Sequence, residues 1–427
     1  MGVALFVSFA ILALLNIPLA IVLGLSSVIA LAFASNIPLL VVAQRMFTAT
    51  DSFPLMAIPF FTLAGILMEG GGISRRLINV ANKMVGSITG GLGLVCVLTC
   101  MFFAAISGSG AATVAAIGSM MIPAMVNAGY DKNFSAAVAA SSGSIGVIIP
   151  PSIPMVTYGV VSGVSIGSIF IGGFGAGITV GLSLMVVVYI TSKKRGYRGT
   201  GEKFSVKELL KAIVDAFWAL LMPVIILGGI YGGVFTPTEA AAVAVAYSLI
   251  VGFFIYKELK LKDIPRIFIN TASSTAVIMI IVATATLFGW LLTSERIPDA
   301  VARGMLSVSQ NKFVVLLMIN GLLLIVGCFM ETISAILIMA PILLPLLIKL
   351  GVDPIFFGVI MVVNLAIGMF TPPVGVNLFV TCGICDMTLE KLAKAIVPFI
   401  LAMVAALLVL TYIPGIIMFL PNMLMGK

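Results

Sequence analysis

Apolar runs of 18 residues or more recur along almost the whole of this 427-residue chain. Each is long enough as a helix to cross the ~30 Å hydrocarbon core of a bilayer. Inside lipid the backbone has no water to bond, so only helices and closed barrels span, and these runs lack the alternation a barrel strand needs. Charged residues make up 9% of the chain and hydrophobic ones 61%, against roughly a quarter charged in a soluble domain. The expected fold class is an all-α polytopic membrane protein embedded in the lipid bilayer.

Spans are predicted at 3–33, 52–70, 133–160, 166–191, 213–235, 238–256, 267–292, 354–384 and 391–420, and two further segments, 88–128 and 313–349, read as re-entrant hairpins. The first run lacks a basic n-region and is too long for a signal h-region, so it is expected to be a retained span although Ala32-Phe33-Ala34 resembles a cleavage site. The loop from Thr191 to Lys211 carries Lys193, Lys194, Arg195, Arg198, Lys203, Lys207 and Lys211, and the positive-inside rule places it in the cytoplasm. Counting outward, these seven fall inside with Arg75, Arg76, Lys83, Lys132, Lys257, Lys260, Lys262, Arg266, Lys391 and Lys394, 17 in all. Six remain outside: Arg45, Arg296, Arg303, Lys312, Lys349 and Lys427. A miscounted helix would flip every downstream loop and erase that asymmetry. The net charge of +8 is thus spread over short loops, which is a topology signal rather than a nucleic-acid-binding patch.

The function classes narrow further. The chain has no histidine, and its five cysteines lie within or beside apolar segments. No nucleophile–base pair, His-Glu metal motif or P-loop is present, so enzyme chemistry is not expected. Cys382-Gly383-Ile384-Cys385 has redox spacing but lacks the βαβ context that such a motif needs, and packing is the plainer reading.

The chain also repeats itself. At a shift of 222 residues Pro123 aligns with Pro345, Gly129 with Gly351, Asp131 with Asp353, Gly146 with Gly368, and Pro150-Pro151 with Pro372-Pro373, while upstream Gly65 and Ile73 align with Gly289 and Ile297 at 224. Each unit reads as span, amphipathic arm, hairpin, interrupted span and final span. An odd number of crossings separates the two units, so the second is inverted, which is the structural logic of alternating access. The division is 1–51 for an N-terminal span and connection, 52–191 for the first unit, 192–266 for the basic loop and linking spans, and 267–427 for the second unit.

Both units break where ligands are expected. The first breaks at Ser107-Gly108-Ser109-Gly110 and within Ser141-Ser142-Gly143-Ser144-Ile145-Gly146-Val147, ahead of Pro150-Pro151-Ser152; the second has Glu331-Thr332 and then Asn364, Gly368, Thr371-Pro372-Pro373 and Asn377. Glycine and proline free backbone carbonyls at membrane depth, which is tolerated only where protein or a polar cavity receives them. Such carbonyls, with Ser, Thr and Asn oxygens, suit a hard cation. Sodium is favoured over protons because histidine is absent and membrane carboxylates are few; Glu331, aligned with Ser109, either completes a cation site or caps the following helix. Helix N-termini and hydroxyls between the tips, including Ser107, Gly108, Ser109, Ser152, Thr332, Asn364 and Asn377, are the candidates for holding an anionic substrate. Gly173/Gly177/Gly181 and Gly228/Gly232 are read as helix-packing stripes. Glu239, in Thr236-Pro237-Thr238-Glu239, is read as a helix start.

At this point the sequence resembles the large membrane subunit of the tripartite ATP-independent periplasmic (TRAP) transporters, of the dicarboxylate and sialic acid type. The residues that carry the likeness are Val41-Val42-Ala43-Gln44-Arg45-Met46, Asp51-Ser52-Phe53-Pro54, Ile58-Pro59-Phe60-Phe61, Gly71-Gly72-Ile73-Ser74-Arg75-Arg76-Leu77, Ile148-Ile149-Pro150-Pro151-Ser152-Ile153-Pro154-Met155, and Asn364 through Thr371-Pro372-Pro373-Val374-Gly375. The resemblance implies an elevator-type fold in the bacterial inner membrane, sodium sites at two hairpin tips, a small four-helix membrane subunit, a periplasmic substrate-binding protein and an organic acid substrate. Carried over by position, one sodium site involves Ser107 to Ser109 with Ser142 to Val147, and the other Glu331, Thr332, Gly368, Thr371 and Pro372. The second tip lacks the Gly-Ser-Gly of the first. The alternative is a self-sufficient divalent anion/sodium symporter. No organic cofactor is expected in either case.

Overall fold

The structure is a computed structural model that describes residues 1–15, 17–199, 201 and 204–425. Lys203 and Lys427, two of the basic residues counted above, lie outside the described residues. The regular elements are all helices: α1 (Gly2–Leu14), α2 (Leu19–Ala34), α3 (Leu40–Thr50), α4 (Ala57–Gly70), α5 (Ile73–Val85), α6 (Gly91–Ser107), α7 (Gly110–Asn127), α8 (Lys132–Gly143), α9 (Ile153–Ser162) and α10 (Ile166–Arg195) in the first part of the chain. The rest holds α11 (Val206–Asp215), α12 (Phe217–Tyr231), α13 (Pro237–Ile250), α14 (Ile264–Ser294), α15 (Ile297–Val308), α16 (Lys312–Phe329), α17 (Thr332–Lys349), α18 (Pro354–Gly368), α19 (Val376–Cys385), α20 (Leu389–Tyr412) and α21 (Gly415–Met425).

The residues paired by the 222-residue shift do the same local work in both copies. Gly129 and Gly351 turn the chain at φ +86° and +69°, a region only glycine enters without strain. Asp131 and Asp353 then cap α8 and α18, accepting from the backbone N–H of Phe134 at 2.9 Å and of Ile355 at 2.7 Å. Both hairpins form as expected, α6/α7 around Gly108-Ser109 and α16/α17 around Met330-Glu331. Both interrupted spans form too, dividing into α8/α9 and α18/α19.

Packing is reciprocal between the copies. α2 lies on α14 as α13 lies on α4; α9 lies on α17 as α19 lies on α7; α10 lies on α18 as α20 lies on α8. One body comprises α1–α4 with α12–α14, and a second comprises α6–α10 with α16–α21. The two touch mainly along α4/α6 and α14/α17. The fold is an inverted repeat with two helical hairpins.

The loops sort to two ends as the charge count requires. Arg76 pairs with Glu258 at 2.7 Å and Asp215 at 3.9 Å, and Lys83 with Glu208 at 3.9 Å, so the segments assigned to the cytoplasm meet one another. At the other end Arg45 sits over the Trp290 ring at 4.8 Å and Lys349 pairs with Asp299 at 3.8 Å.

Three span boundaries differ from expectation. The run 3–33 is two helices, α1 and α2, packed side by side with Pro18 as the N-cap of α2. A 13-residue α1 reaches only about 20 Å at 1.5 Å per residue. Segment 391–420 is likewise divided, at Ile413-Pro414, into α20 and α21. The span set at 213–235 starts only at Phe217, after a 66° bend, because α11 is an amphipathic helix lying on α5. In each case an average over apolar residues runs through a break that one proline or one change of face creates.

Candidate functional site

The two hairpin tips and the two span breaks converge. At the first tip α6 ends on Gly108 in the left-handed conformation, φ +61°, and Ser109 caps α7. The carbonyl of Gly108 accepts from the N–H of Ile153 at 3.3 Å, tying the tip to the first break. The approach is close enough that a Cβ on Gly108 would lie 2.8 Å from the Pro151 carbonyl, and one on Gly146 would lie 2.6 Å from the Ser109 carbonyl. The second tip repeats this construction: the N–H of Val374 bonds the Cys328 carbonyl at 3.4 Å, and Gly368 packs on the backbone of Gly327.

A cavity of about 530 Å³ opens between the tips. Of the residues singled out in the sequence, Gly108, Ser109, Val147, Glu331, Thr332 and Gly368 line it. Among the described residues its walls carry Glu331 as the one carboxylate and no lysine or arginine. Glu331 settles between its two readings only in part. Its Oε2 accepts from the N–H groups of Ile333 at 2.9 Å and Ser334 at 3.2 Å, which is a helix cap. Both bonds use one oxygen, so the cap role leaves Oε1 for another partner.

The remaining candidates sit around the cavity rather than on it. Ser107 lines a smaller adjoining space of about 160 Å³, where its hydroxyl meets that of Thr113 at 2.9 Å. Ser152 is buried and structural in its contacts, donating to the Val147 carbonyl and capping α9 at the N–H of Met155. Asn364 and Asn377 are fully buried; Asn364 Nδ2 donates to Asn320 Oδ1 and the Ile360 carbonyl at 3.0 Å each, and Asn377 Nδ2 donates to the Ala140 carbonyl at 3.2 Å. Thr371 donates back to the end of α18 at the Ile367 carbonyl, 2.6 Å away, and it and Pro372 are half-buried in the second break. Ser144 donates to the Ser141 carbonyl at 2.6 Å.

One pair stands out. Ser142 Oγ and Asn364 Oδ1 are buried and have no hydrogen-bond partner, and the two residues are equivalent under the 222-residue shift. Thr332 Oγ1 and Ser334 Oγ share that condition at the second tip. A buried oxygen left unpaired costs about 1–3 kcal/mol, and in a bilayer no water relieves it. Unpartnered oxygens of this kind have the donor chemistry that a hard cation takes.

Sequence reasoning missed the wall opposite the tips. Ser273 and Ser274 of α14 line the main cavity, and Thr62, Gly65 and Glu69 of α4 line the smaller one. The signal for α14 was present: Thr271-Ala272-Ser273-Ser274-Thr275 is a polar cluster inside an apolar helix. The glycine stripes divide. Gly173, Gly177 and Gly181 let α10 approach Ile148, Ile149 and Met101, as expected of packing. Gly228 has nothing within 4 Å, and a Cβ on Gly232 would first meet the carbonyl of Gly228 in its own helix, so this second pair is not a packing stripe among the described residues. Cys385 bonds the Thr381 carbonyl at 2.9 Å as a free thiol, and Glu239 forms a capping box with Thr236.

Known proteins resemble this chain along most of its length. The family described as tripartite ATP-independent periplasmic transporter, DctM component, matches residues 6–416. An isethionate TRAP transporter permease protein, DctMQ, of Oleidesulfovibrio alaskensis is 52% identical over 97% of this chain, and this chain spans 65% of that longer relative. The C4-dicarboxylate TRAP transporter large permease protein DctM of Pseudomonas aeruginosa is 44% identical, covering 94% of each chain. The sialic acid TRAP transporter large permease protein SiaM of Vibrio cholerae is 40% identical over 90% of each. Among solved structures the Alcanivorax borkumensis YdaH transporter superposes with a TM-score of 0.66 over 96% of this chain and 97% of its own at 15% identity, a likeness of fold.

Proposed function

The chain belongs to the DctM component family of tripartite ATP-independent periplasmic transporters, and from that premise we propose that it imports a small organic acid anion across the bacterial inner membrane together with sodium. As a member of a transporter permease family it is a multi-pass membrane protein working in secondary transport. The observation that carries the sodium reading is the symmetry-related pair Ser142 Oγ and Asn364 Oδ1, each buried and unpartnered beside a helix break. One cation is assigned to the first tip, with Ser107, Gly108, Ser109, Ser142, Gly143, Ser144, Gly146 and Val147 around it. The other is assigned to the second tip, with Glu331, Thr332, Gly368, Thr371 and Pro372, and Asn364 joins this set from its place beside the break. The acid occupies the cavity, whose lining includes the N-termini of α7 and α17 with Ser109, Ser273 and Ser274. Sliding the hairpin-bearing body across the membrane against the other would carry cavity and ions together, as an elevator does.

Relatives support the reading of substrate class and partners. Isethionate, C4-dicarboxylate and sialic acid appear in the names of matched permeases, so the acid class is tested with isethionate, succinate and N-acetylneuraminate. A small membrane subunit and a periplasmic binding protein complete the proposed system, and the composite name DctMQ of the longer relative supports the former. In proteoliposomes, uptake of one of these acids is expected only with an inward sodium gradient and with both partners present. Uptake without the partners would favour a self-sufficient symporter, and uptake indifferent to sodium would sink the coupling. Ser109→Ala and Thr371→Ala each remove one oxygen worth about 1–2 kcal/mol, so the half-saturating sodium concentration should rise roughly fivefold to thirtyfold. Unaltered sodium titrations in both variants would count against these sites.

A further inference from the structure

Four spaces run in series from the hairpin tips to the charged end of the molecule. The cavity of about 530 Å³ shares Ser109, Ile153, Ser274 and Ile278 with the space of about 160 Å³. That space shares Glu69 with a crevice of about 280 Å³ lined also by Ser74, Arg75 and Glu258. Arg75 and Glu258 recur in the wall of an outer crevice of about 470 Å³ that reaches Arg76 and Asp215. These last residues stand at the end that the basic loops assign to the cytoplasm.

The wall of this series is built by α4. Thr62, Gly65, Ile66 and Glu69 fall at spacings of three and four, so one helix face presents them to Ser107 and Ser109 across the 160 Å³ space. Glu69 is the one charged residue of α4, is exposed to the crevice, and its carboxylate has no hydrogen-bond or ion-pair partner among the described residues. Arg76 nearby is by contrast paired, its Nη1 donating to Glu258 at 2.7 Å and to the Gly72 carbonyl at 3.0 Å. A carboxylate free of partners on such a wall attracts a cation and repels an organic acid, whose charge it shares.

We propose that the seam between α4 and the first hairpin is the path by which the cation held at that hairpin tip reaches the cytoplasm, with Glu69 as the anionic step between the tip and bulk water. The assignment rests on the sodium reading above and adds a residue to it. The Glu69 carboxylate holds no polar group of the tip in place by a hydrogen bond or ion pair, so it acts on the barrier to ion exchange and not on the bound state.

Radiolabelled sodium exchange on the purified full-length permease in detergent micelles tests this without knowledge of the acid. For Glu69→Gln the release rate on dilution into choline chloride and the binding rate should fall together by about tenfold, the lower end of what a focused charge does to ion access. The equilibrium Kd should stay within about twofold, and Glu69→Asp should restore the rates. Equal rates in wild type and Glu69→Gln overturn the proposal. A weakened Kd with an unchanged binding rate also overturns it, because Glu69 would then be a ligand or a prop of the site. A wild-type protein that binds no sodium would instead defeat the sodium reading itself, and this inference with it.

Discussion

Gly368→Ala is expected to abolish uptake and to lower the thermal-unfolding midpoint in detergent, whereas Gly321→Ala, on the hairpin arm that Gly368 packs against, should leave both intact. A Cβ on Gly368 would fall into the backbone C and O of Gly327 and stand 2.6 Å from its Cα. Backbone cannot swing aside as a side chain does, so α16 must part from α18, at a cost of about 1–3 kcal/mol or more. The displaced tip carries Glu331 and Thr332 with it, and a misplacement near 1 Å costs about 100-fold in rate. A Cβ on Gly321 meets nothing within 4 Å, and alanine there gains up to about 1 kcal/mol of helix propensity. The check is uptake of whichever panel acid the wild type carries, beside a melting curve for each variant. Wild-type uptake by Gly368→Ala would show that the second hairpin is not seated as described.

Glu331→Gln should raise the half-saturating sodium concentration by at least about tenfold, the equivalent of losing about 1.4 kcal/mol at one cation site. Glutamine retains one oxygen to accept from the N–H groups of Ile333 and Ser334, as Oε2 does now. Its second position becomes an NH₂ group, which donates and cannot ligate a cation. The cap and the cation role are thereby separated. Glu331→Ala removes both and should cost a further 1 kcal/mol or so of stability through the lost cap, read as a lower melting point. If Glu331→Gln titrates sodium like the wild type while Glu331→Ala merely melts earlier, Glu331 is a cap alone.

Much of the fold was legible because membrane helices are written in contiguous residues. Asp131 and Asp353 announce helix starts, Gly129 and Gly351 announce turns, and each needs only its immediate neighbours to do so. Boundaries failed where one local feature outweighed an average, as at Pro18 and Pro414. The site was legible to the depth of its breaks. Gly108, Ser109, Glu331 and Thr332 were found because they interrupt helices, whereas Ser273, Ser274 and Glu69 do not and were passed over.

The sequence by itself determined the membrane class, the two-sided sorting of charge, the doubled unit and the four places where helices stop. All of these depend on solvation and backbone preference acting over a few turns of chain. Only the tertiary structure decided that the two tips share one cavity, that Ser142 and Asn364 keep an unpartnered oxygen while Ser144 and Ser152 do not, and that α4 and α14 supply the facing wall. Which hydroxyl finds a carbonyl, and which side chain faces a gap, depends on residues tens to hundreds of positions away, and packing alone brings those into reach.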